Sequence, residues 1–328
     1  MSSVRRTSVA ALVAFAVVAC PAAAQKKPAP QTAPLPTPAP AAAPLQGNEP
    51  DIAYAEYQRG RFLTALAEAS KRAQKNDAAA MTLLGEIYAN GNGVGRDDSK
   101  AAQWYKIAAA NGDRNAMFAL AMFDFEGRAG ARNEEEGARL LAAAAKLGHI
   151  SAAYDLGLLY LQGKQFPQDF ARAAELFRQA ADAGNPEAQY ALATMYKEGR
   201  GVAKDRDEAA RLMGRAAVAG DLDAMVEFAV AQFNGDATAK DETAAAELFV
   251  KAARRGNPIA QNRLARILMA GRGMPADPGN AIKWHLIAKA AGDNDAELDA
   301  FAAKQSQAVR DAAAKAAQTW MSTLPPRS

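Results

Sequence analysis

One spacing governs what this chain can fold into. Starting from Ala80, a step of 36 residues lands on Ala116, Ala152, Ala188, Ala224, Ala260 and Ala296. From Leu84 the same step gives Leu120, Leu156, Leu192, Phe228 and Leu264. Gly91 leads to Gly127, Gly163, Gly199, Gly235 and Gly271, and Gly112 to Gly148, Gly184, Gly220, Gly256 and Gly292. Six units follow one another with no insertion or deletion. A period of this length marks one small structural unit stacked on copies of itself, each burying the face its neighbour leaves open.

Within a unit the residues spell two helices. Ala80, Leu84, Ile87 and Tyr88 fall on one helical face. Gly91-Asn92-Gly93 stops that helix, because glycine accepts the positive φ of a C-cap. Asp97 or Asp98 then caps a second helix, whose packing face carries Ala101, Trp104, Tyr105, Ala108 and Ala109. Gly112 ends it and Asp113 starts the turn to the next pair. Alanine lets helix axes approach closely and has the best helix propensity. Aromatic residues make up only 7% of the chain, too few, with the sparse β-branched residues, for a large sheet. The expectation is an all-α fold.

The full unit, Ala-x-x-x-Leu-Gly-x-x-Tyr-x-x-Gly-x-Gly-Val-x-x-Asp-x-x-Lys-Ala-x-x-Trp-Tyr-x-x-Ala-Ala-x-x-Gly from Ala80 to Gly112, resembles the Sel-1-like repeat, a branch of the tetratricopeptide superfamily. The resemblance implies an α-solenoid, a right-handed superhelix of helix-turn-helix repeats, with six repeats over 77–295. Repeats two, five and six depart from it, with Asp124, Gln232 and Leu268 in the Tyr88 column. Tyr54 to Lys75 is similar to one tetratricopeptide hairpin, with Tyr57, Gly60, Phe62, Ala65 and Ala69 at the expected spacing, so residues 51–76 read as an N-terminal cap. Residues 296–328 read as capping helices and a tail. Ser306 to Met321 forms a last helix that presents Val309, Ala313, Ala316 and Trp320.

The first 24 residues read as an export signal: Arg5 and Arg6, an apolar stretch from Val9 to Val18, then Ala22-Ala23-Ala24 before Gln25. The apolar stretch is too short to span a bilayer. Cleavage before Gln25 releases a soluble periplasmic or secreted chain, which the A-x-A match favours. The alternative is lipidation of Cys20 within Val17-Val18-Ala19-Cys20, which tethers the chain to a membrane. Residues 25–50 are rich in Pro and Ala and read as an extended, disordered spacer.

Charge and motifs exclude several functions. The chain carries 39 Lys and Arg against 36 Asp and Glu, with no basic stripe, which argues against a nucleic-acid partner. Cys20 is the single cysteine, so no disulfide or thiolate metal site is available to the folded part. Gly91-x-Gly93 lacks a following Gly-Lys-Ser/Thr and recurs with the repeat, so it is punctuation, not a phosphate cradle. Of the two histidines, His149 follows a helix stop and His285 sits on a packing face in the Tyr105 column; neither has an evident catalytic partner. Glu134-Glu135-Glu136 is a charge run suited to a helix start. No H-E-x-x-H, Cys-x-x-Cys or mature Ser-x-x-Lys occurs. Cysteine-rich relatives are described as binding or hydrolysing β-lactams, but the paired cysteines they carry in each repeat are missing here. The expectation is a non-enzymatic protein without cofactor or metal, the alternatives being a cell-wall-active or β-lactam-binding enzyme, or a lipid-anchored tether.

A binding surface is legible by comparing repeats. Positions 82, 86 and 89 lie nearly opposite the Ala80/Leu84 stripe. They are mostly polar in repeat one (Thr82, Glu86, Ala89) and repeat six (Asn262, Arg266, Met269). In between they read Phe118, Met122 and Phe125; Tyr154, Leu158 and Leu161; Tyr190 with Thr194 and Lys197; and Val226, Val230 and Phe233. Packing against neighbouring helices is one explanation. A partner-binding groove is the other, since a helix apolar on both sides is buried on both or offers one to a partner. By the resemblance these first helices line a concave surface. The groove reading predicts capture of a protein or peptide partner, an extended segment or a helix, in the cell envelope.

Overall fold

The structure is a computed structural model and describes residues 51–323. The export signal, Cys20, the Pro/Ala spacer and the tail 324–328 lie outside the described residues.

Among the described residues there are sixteen α-helices and no strand. In chain order, α1 (Ile52–Gln58) pairs with α2 (Phe62–Ala73), α3 (Ala78–Asn90) with α4 (Asp98–Ala110), and α5 (Arg114–Glu126) with α6 (Glu134–Lys146). Then come α7 (Ile150–Gln162) and α8 (Phe170–Asp182). The pairs α9 (Pro186–Glu198) with α10 (Arg206–Ala219), α11 (Leu222–Asn234) with α12 (Glu242–Arg254), and α13 (Pro258–Ala270) with α14 (Pro278–Ala290) follow. Finally α15 (Ala296–Ala303) leads into α16 (Gln307–Ser322). This is an all-α solenoid of helical hairpins. The described residues divide inside α8, between Leu176 and Phe177, into two compact units.

Caps explain why every hairpin starts and stops where it does. The first helix of each repeat is capped by Asp77, Asp113, His149, Asn185, Asp221 or Asn257, whose side chain accepts a first-turn backbone N–H. The second is capped by the column Asp97, Asn133, Asp169, Asp205, Asp241 and Asp277. Asp97, not Asp98, does this work in the first repeat, accepting from Lys100 N at 2.9 Å. Each such cap is worth about 1 kcal/mol. At the other end the six C-cap glycines from Gly91 to Gly271 sit at φ between +66° and +77°, where a Cβ is strained.

The loops between paired helices close with one repeated bond. Asp97 N donates to Tyr88 O, Asn133 N to Asp124 O, Asp241 N to Gln232 O and Asp277 N to Leu268 O, each at 2.9 Å. The bond common to the column comes from its carbonyl, while the tyrosines add contacts of their own, Tyr160 stacking on Phe166 and Tyr196 Oη accepting from Arg178. The carbonyl bond is why Asp124, Gln232 and Leu268 replace tyrosine without disturbing the repeat.

Packing follows from small residues placed opposite large ones. Gly85 in α3 lets the Tyr105 ring of α4 lie against the helix backbone, since a Cβ there would stand 2.4 Å from the ring. Gly137 serves Phe125 in the same way, and Gly214 serves Phe228. Alanines at 101, 108, 116, 152, 188, 224 and 260 are almost fully buried. Neighbouring hairpins are also tied at their loops. Arg128 donates to Asp98 at 2.7 Å, Gln165 to Glu134 at 2.7 Å and Arg206 to Asp236 at 3.0 Å, and Arg272 bonds Glu242.

The ends differ from the repeats. In the N-terminal unit Tyr57 meets Phe62 edge-on at 5.5 Å, Ala65 and Ala69 are buried, and Tyr57 Oη accepts from Asn92 Nδ2 at 2.9 Å. In the C-terminal unit α15 is only eight residues long, and α16 packs on α14 with Trp320 against Trp284 at 5.5 Å. The buried stripe of α16 runs through Ala313 and Ala317; Ala316, expected on it, is exposed.

Candidate functional site

The row of positions 82, 86 and 89 is split by the structure. In the N-terminal unit Phe118, Met122, Phe125, Tyr154 and Leu161 are half-buried. The Phe118 ring stacks on the His149 imidazole, 4.4 Å between centroids and 19° from parallel, and Phe125 lies over Gly137. In the C-terminal unit Tyr190, Val230 and Phe233 are half-buried. Tyr190 Oη donates to Glu227 Oε1 at 2.7 Å, and Lys197 holds the other carboxylate oxygen at 2.9 Å. Leu158 and Val226 are a correction. They are 7% and 6% exposed, so they belong to the packed interior.

The end repeats differ too. Thr82, Ala89 and Asn262 are buried, so they form no free polar surface. Thr82 Oγ1 donates to Ala78 O at 3.1 Å, and Asn262 Nδ2 to Asp295 Oδ2 at 3.0 Å. The physical reason is that first helices are flanked by first helices: α3 touches α1 and α5, and α13 touches α15. Those flanks cover part of the row. The positions most open to solvent are 79 and 90 and their equivalents, among them Asn115, Glu187, Asp223 and Ile259, and Glu126, Glu198 and Asn234. At 100° per residue the open face is turned by roughly 60° from the 82/86/89 set. Sequence periodicity names the face opposite the core but cannot tell its open centre from its flanks.

In the C-terminal unit the half-buried row meets a cleft of about 310 Å³, lined by Val230, Phe233, Ile267 and Met269 together with Arg263, Arg266, Arg272 and Glu297. The Arg272 guanidinium lies 4.4 Å from the centre of the Phe233 ring and bonds Glu242. Arg272 and Lys240 hold the Glu242 carboxyl down at about 2. Arg266 bonds Asp295 at 2.6 Å and Glu297 at 2.8 Å. Burial pushes the Asp295 carboxyl up, but Arg266, Asn262 and the Leu298 N–H outweigh it and bring it to about 2. Arg263 is exposed and has no hydrogen-bond or ion-pair partner among the described residues. Sequence comparison missed this arginine, because it lies outside the 82/86/89 register.

Both histidines are built into helix ends and packing. His149 is the one imidazole in a column of Asp and Asn caps. Its Nδ1 accepts from Ala152 N at 3.1 Å, which requires the neutral ring at that nitrogen. Burial, with help from Arg114, lowers its pKa to about 4. His285 is 1% exposed, and its Nε2 lies 2.7 Å from Asp299 Oδ1, to which Lys289 also donates. Its Nδ1 is buried without a partner. The pair resembles an oriented base, yet the free nitrogen faces the interior, out of reach of substrate. Among the described residues no three His, Cys, Asp or Glu side chains are placed to hold a metal ion. No described helix is long and apolar enough to cross a membrane.

Residues 78–113, 114–149, 150–185, 186–221, 222–257 and 258–293 each match the Sel1 repeat. The crystal structure of a Sel1 repeat protein from Oxalobacter formigenes is 25% identical, over 72% of this chain and 94% of its own, with a TM-score of 0.63. A protective antigen present in uropathogenic Escherichia coli strains, displaying an SLR fold, is 26% identical over 81% of this chain and 68% of its own, with a TM-score of 0.56. No curated protein matches the chain. Six contiguous matches span most of the described residues, and their boundaries coincide with the structural hairpins: the chain belongs to the Sel1-repeat family.

Proposed function

We propose that this chain is an exported scaffold that holds segments of a cell-envelope protein against the half-buried aromatic residues that each of its two units carries on its first helices. Sel1-repeat proteins mediate protein–protein interaction, and the proposal adds export, an envelope partner and the surface that meets it. The observation that carries it is the row itself. Phe118, Met122, Phe125, Tyr154 and Leu161 in one unit, and Tyr190, Val230 and Phe233 in the other, stay half-open to solvent, although the same register accepts Glu86 and Arg266 elsewhere. Covering such side chains fully yields roughly 1.5–3 kcal/mol each, and covering several in part is enough for specific binding. The leader and the Pro/Ala spacer support an extracytoplasmic site of action. Nothing in the constellation of His149 and His285 supports a hydrolytic alternative.

The test is a capture experiment from envelope extract with wild-type protein and a Phe118→Ser, Tyr154→Ser, Phe233→Ser variant. The partner is expected to be retained by the wild type and lost by the variant, with helicity by circular dichroism unchanged. Equal retention by a folded variant removes the row from the function. A tethered form is the second reading, favoured by Val17-Val18-Ala19-Cys20. Mass spectrometry of the mature N-terminus separates the two: a chain beginning at Gln25 is the soluble form, and a diacylated Cys20 the tethered one.

A further inference from the structure

Four Asn-Gly steps fall within the described residues, at Asn90, Asn92, Asn111 and Asn234. Such a step is the least hindered place for a side-chain amide to be attacked by the next backbone nitrogen, because glycine has no Cβ in the way. The attacking nitrogen must first lose its proton, so a hydrogen bond on that N–H protects the step until the structure opens locally. Three of the four are protected in this way. Gly91 N donates to Ile87 O, Gly112 N to Ala109 O at 3.0 Å and Gly235 N to Ala231 O at 2.8 Å. Each of these bonds closes the end of a helix. Gly93 N has no acceptor among the described residues. Gly93 is exposed, and Asn92 before it is half-buried.

Asn92 also stands in the column through which neighbouring hairpins are tied. Its equivalents Arg128, Asp236 and Arg272 reach back to Asp98, Arg206 and Glu242 of the preceding unit. In the first repeat the same position donates from Nδ2 to Tyr57 Oη at 2.9 Å, which joins the turn after α3 to the α1/α2 hairpin. We propose that Asn92 is a modification site, where spontaneous deamidation rewrites the joint between the N-terminal cap and the first repeat. Gly93 N, deprotonated by hydroxide, attacks Asn92 Cγ. The bond from Cγ to Nδ2 breaks, and Nδ2 takes a proton from water and leaves as ammonia. Water then opens the cyclic imide at either carbonyl. The sum is an amide and water giving a carboxylic acid and ammonia, with no change of oxidation state. Opening at Cγ gives aspartate, whose carboxylate accepts from the Tyr57 O–H, so the tie survives with its polarity reversed. Opening at the main-chain carbonyl gives isoaspartate. The backbone then runs through Cγ, one methylene longer, and the arm that reached Tyr57 is lost. Asn90 Nδ2, 3.4 Å from Tyr57 Oη, is the contact that remains.

The test incubates the full-length chain in mildly alkaline buffer until a parallel sample unfolded in urea has deamidated at all four steps. Peptide mapping by mass spectrometry then reads each step in the folded sample. Asn92 is expected to be converted, in part to isoaspartate, while Asn90, Asn111 and Asn234 keep their amides. Attack requires the amide to leave Tyr57. Tyr57→Phe, which keeps the ring that packs on Phe62, is therefore expected to speed the loss at Asn92 by about five-fold, the weight of one hydrogen bond, and to leave Asn111 and Asn234 unchanged. Hydrogen exchange reads the consequence: amides of α1 and α2 are expected to exchange faster in the chain carrying isoaspartate than in the fresh chain, with Asn92→Asp close to the fresh chain. An intact Asn92, or conversion of the other three steps at the same rate, overturns the modification site. An unchanged rate in Tyr57→Phe, or exchange in α1 and α2 that is the same before and after conversion, overturns its coupling to the cap.

Discussion

At Ala237 the backbone turns with φ of +55°, in the column where Gly93, Gly201 and Gly273 stand at +68° to +74°. An L-residue there costs about 1–2 kcal/mol, offset in part by the freedom glycine loses on folding. Ala237→Gly is therefore expected to stabilise the C-terminal unit by about 0.5–1 kcal/mol, read as a higher urea midpoint. The substitution cannot be run in reverse at Gly273, where a Cβ would stand 2.1 Å from the Glu242 carbonyl oxygen. His149 makes a pH prediction. Its pKa falls from 6.5 to about 4 in the folded chain, so between those values the unfolded chain binds the extra proton. Stability then drops as pH falls from about 6.5 to about 4 and levels off below. Allowing for partial exposure, the loss is roughly 1–2 kcal/mol. His149→Asn, which restores the cap used at Asn185 and Asn257, is expected to flatten that slope in denaturation measured at pH 7 and pH 4.5. An equal slope in the variant would assign it to other groups. Sequence placed His149 just after a helix stop, but only the structure shows its imidazole taking the place of a carboxylate or amide.

Elements were legible where chemistry repeats. The glycine stops and the Asp/Asn starts recur every 36 residues; the starts and the glycines from Gly91 to Gly271 map onto caps, while Gly112 follows the C-cap Asn111 by one residue. What escaped reading depends on contacts between elements. The stripe through Ala313 and Ala316 was one residue out at its second member, because a helix of many alanines gives periodicity little contrast; Trp320 against Trp284 decides which side faces α14. Helix α16 caps the array by this contact, so Trp320→Ala is expected to cost about 2–3 kcal/mol, below the full range for a buried aromatic because Trp320 is half-buried. The emission of Trp284 should shift to the red in the same variant, since its ring loses its cover. An unshifted spectrum would mean that α16 covers α14 by other side chains.

For the molecule as a whole, fold class and order of hairpins were written in the spacing, whereas the open face was not. A stack of hairpins hides the flanks of each first helix behind its neighbours, so Leu158 and Val226 sank into the interior and Arg263 surfaced. Because each unit contacts only its neighbours, a stack of this type can be lengthened or shortened by a whole unit. The loop ties of the C-terminal unit bear on such a change. Arg206 faces Asp236, while one unit later the polarity is inverted and Glu242 faces Arg272. Excising residues 207–242, one full period, would splice Arg206 opposite Arg272 and set two guanidiniums against each other. Two alternating signs thus act as a tally mark at this junction, where losing the unit between them exchanges an attractive surface pair for a repulsive one.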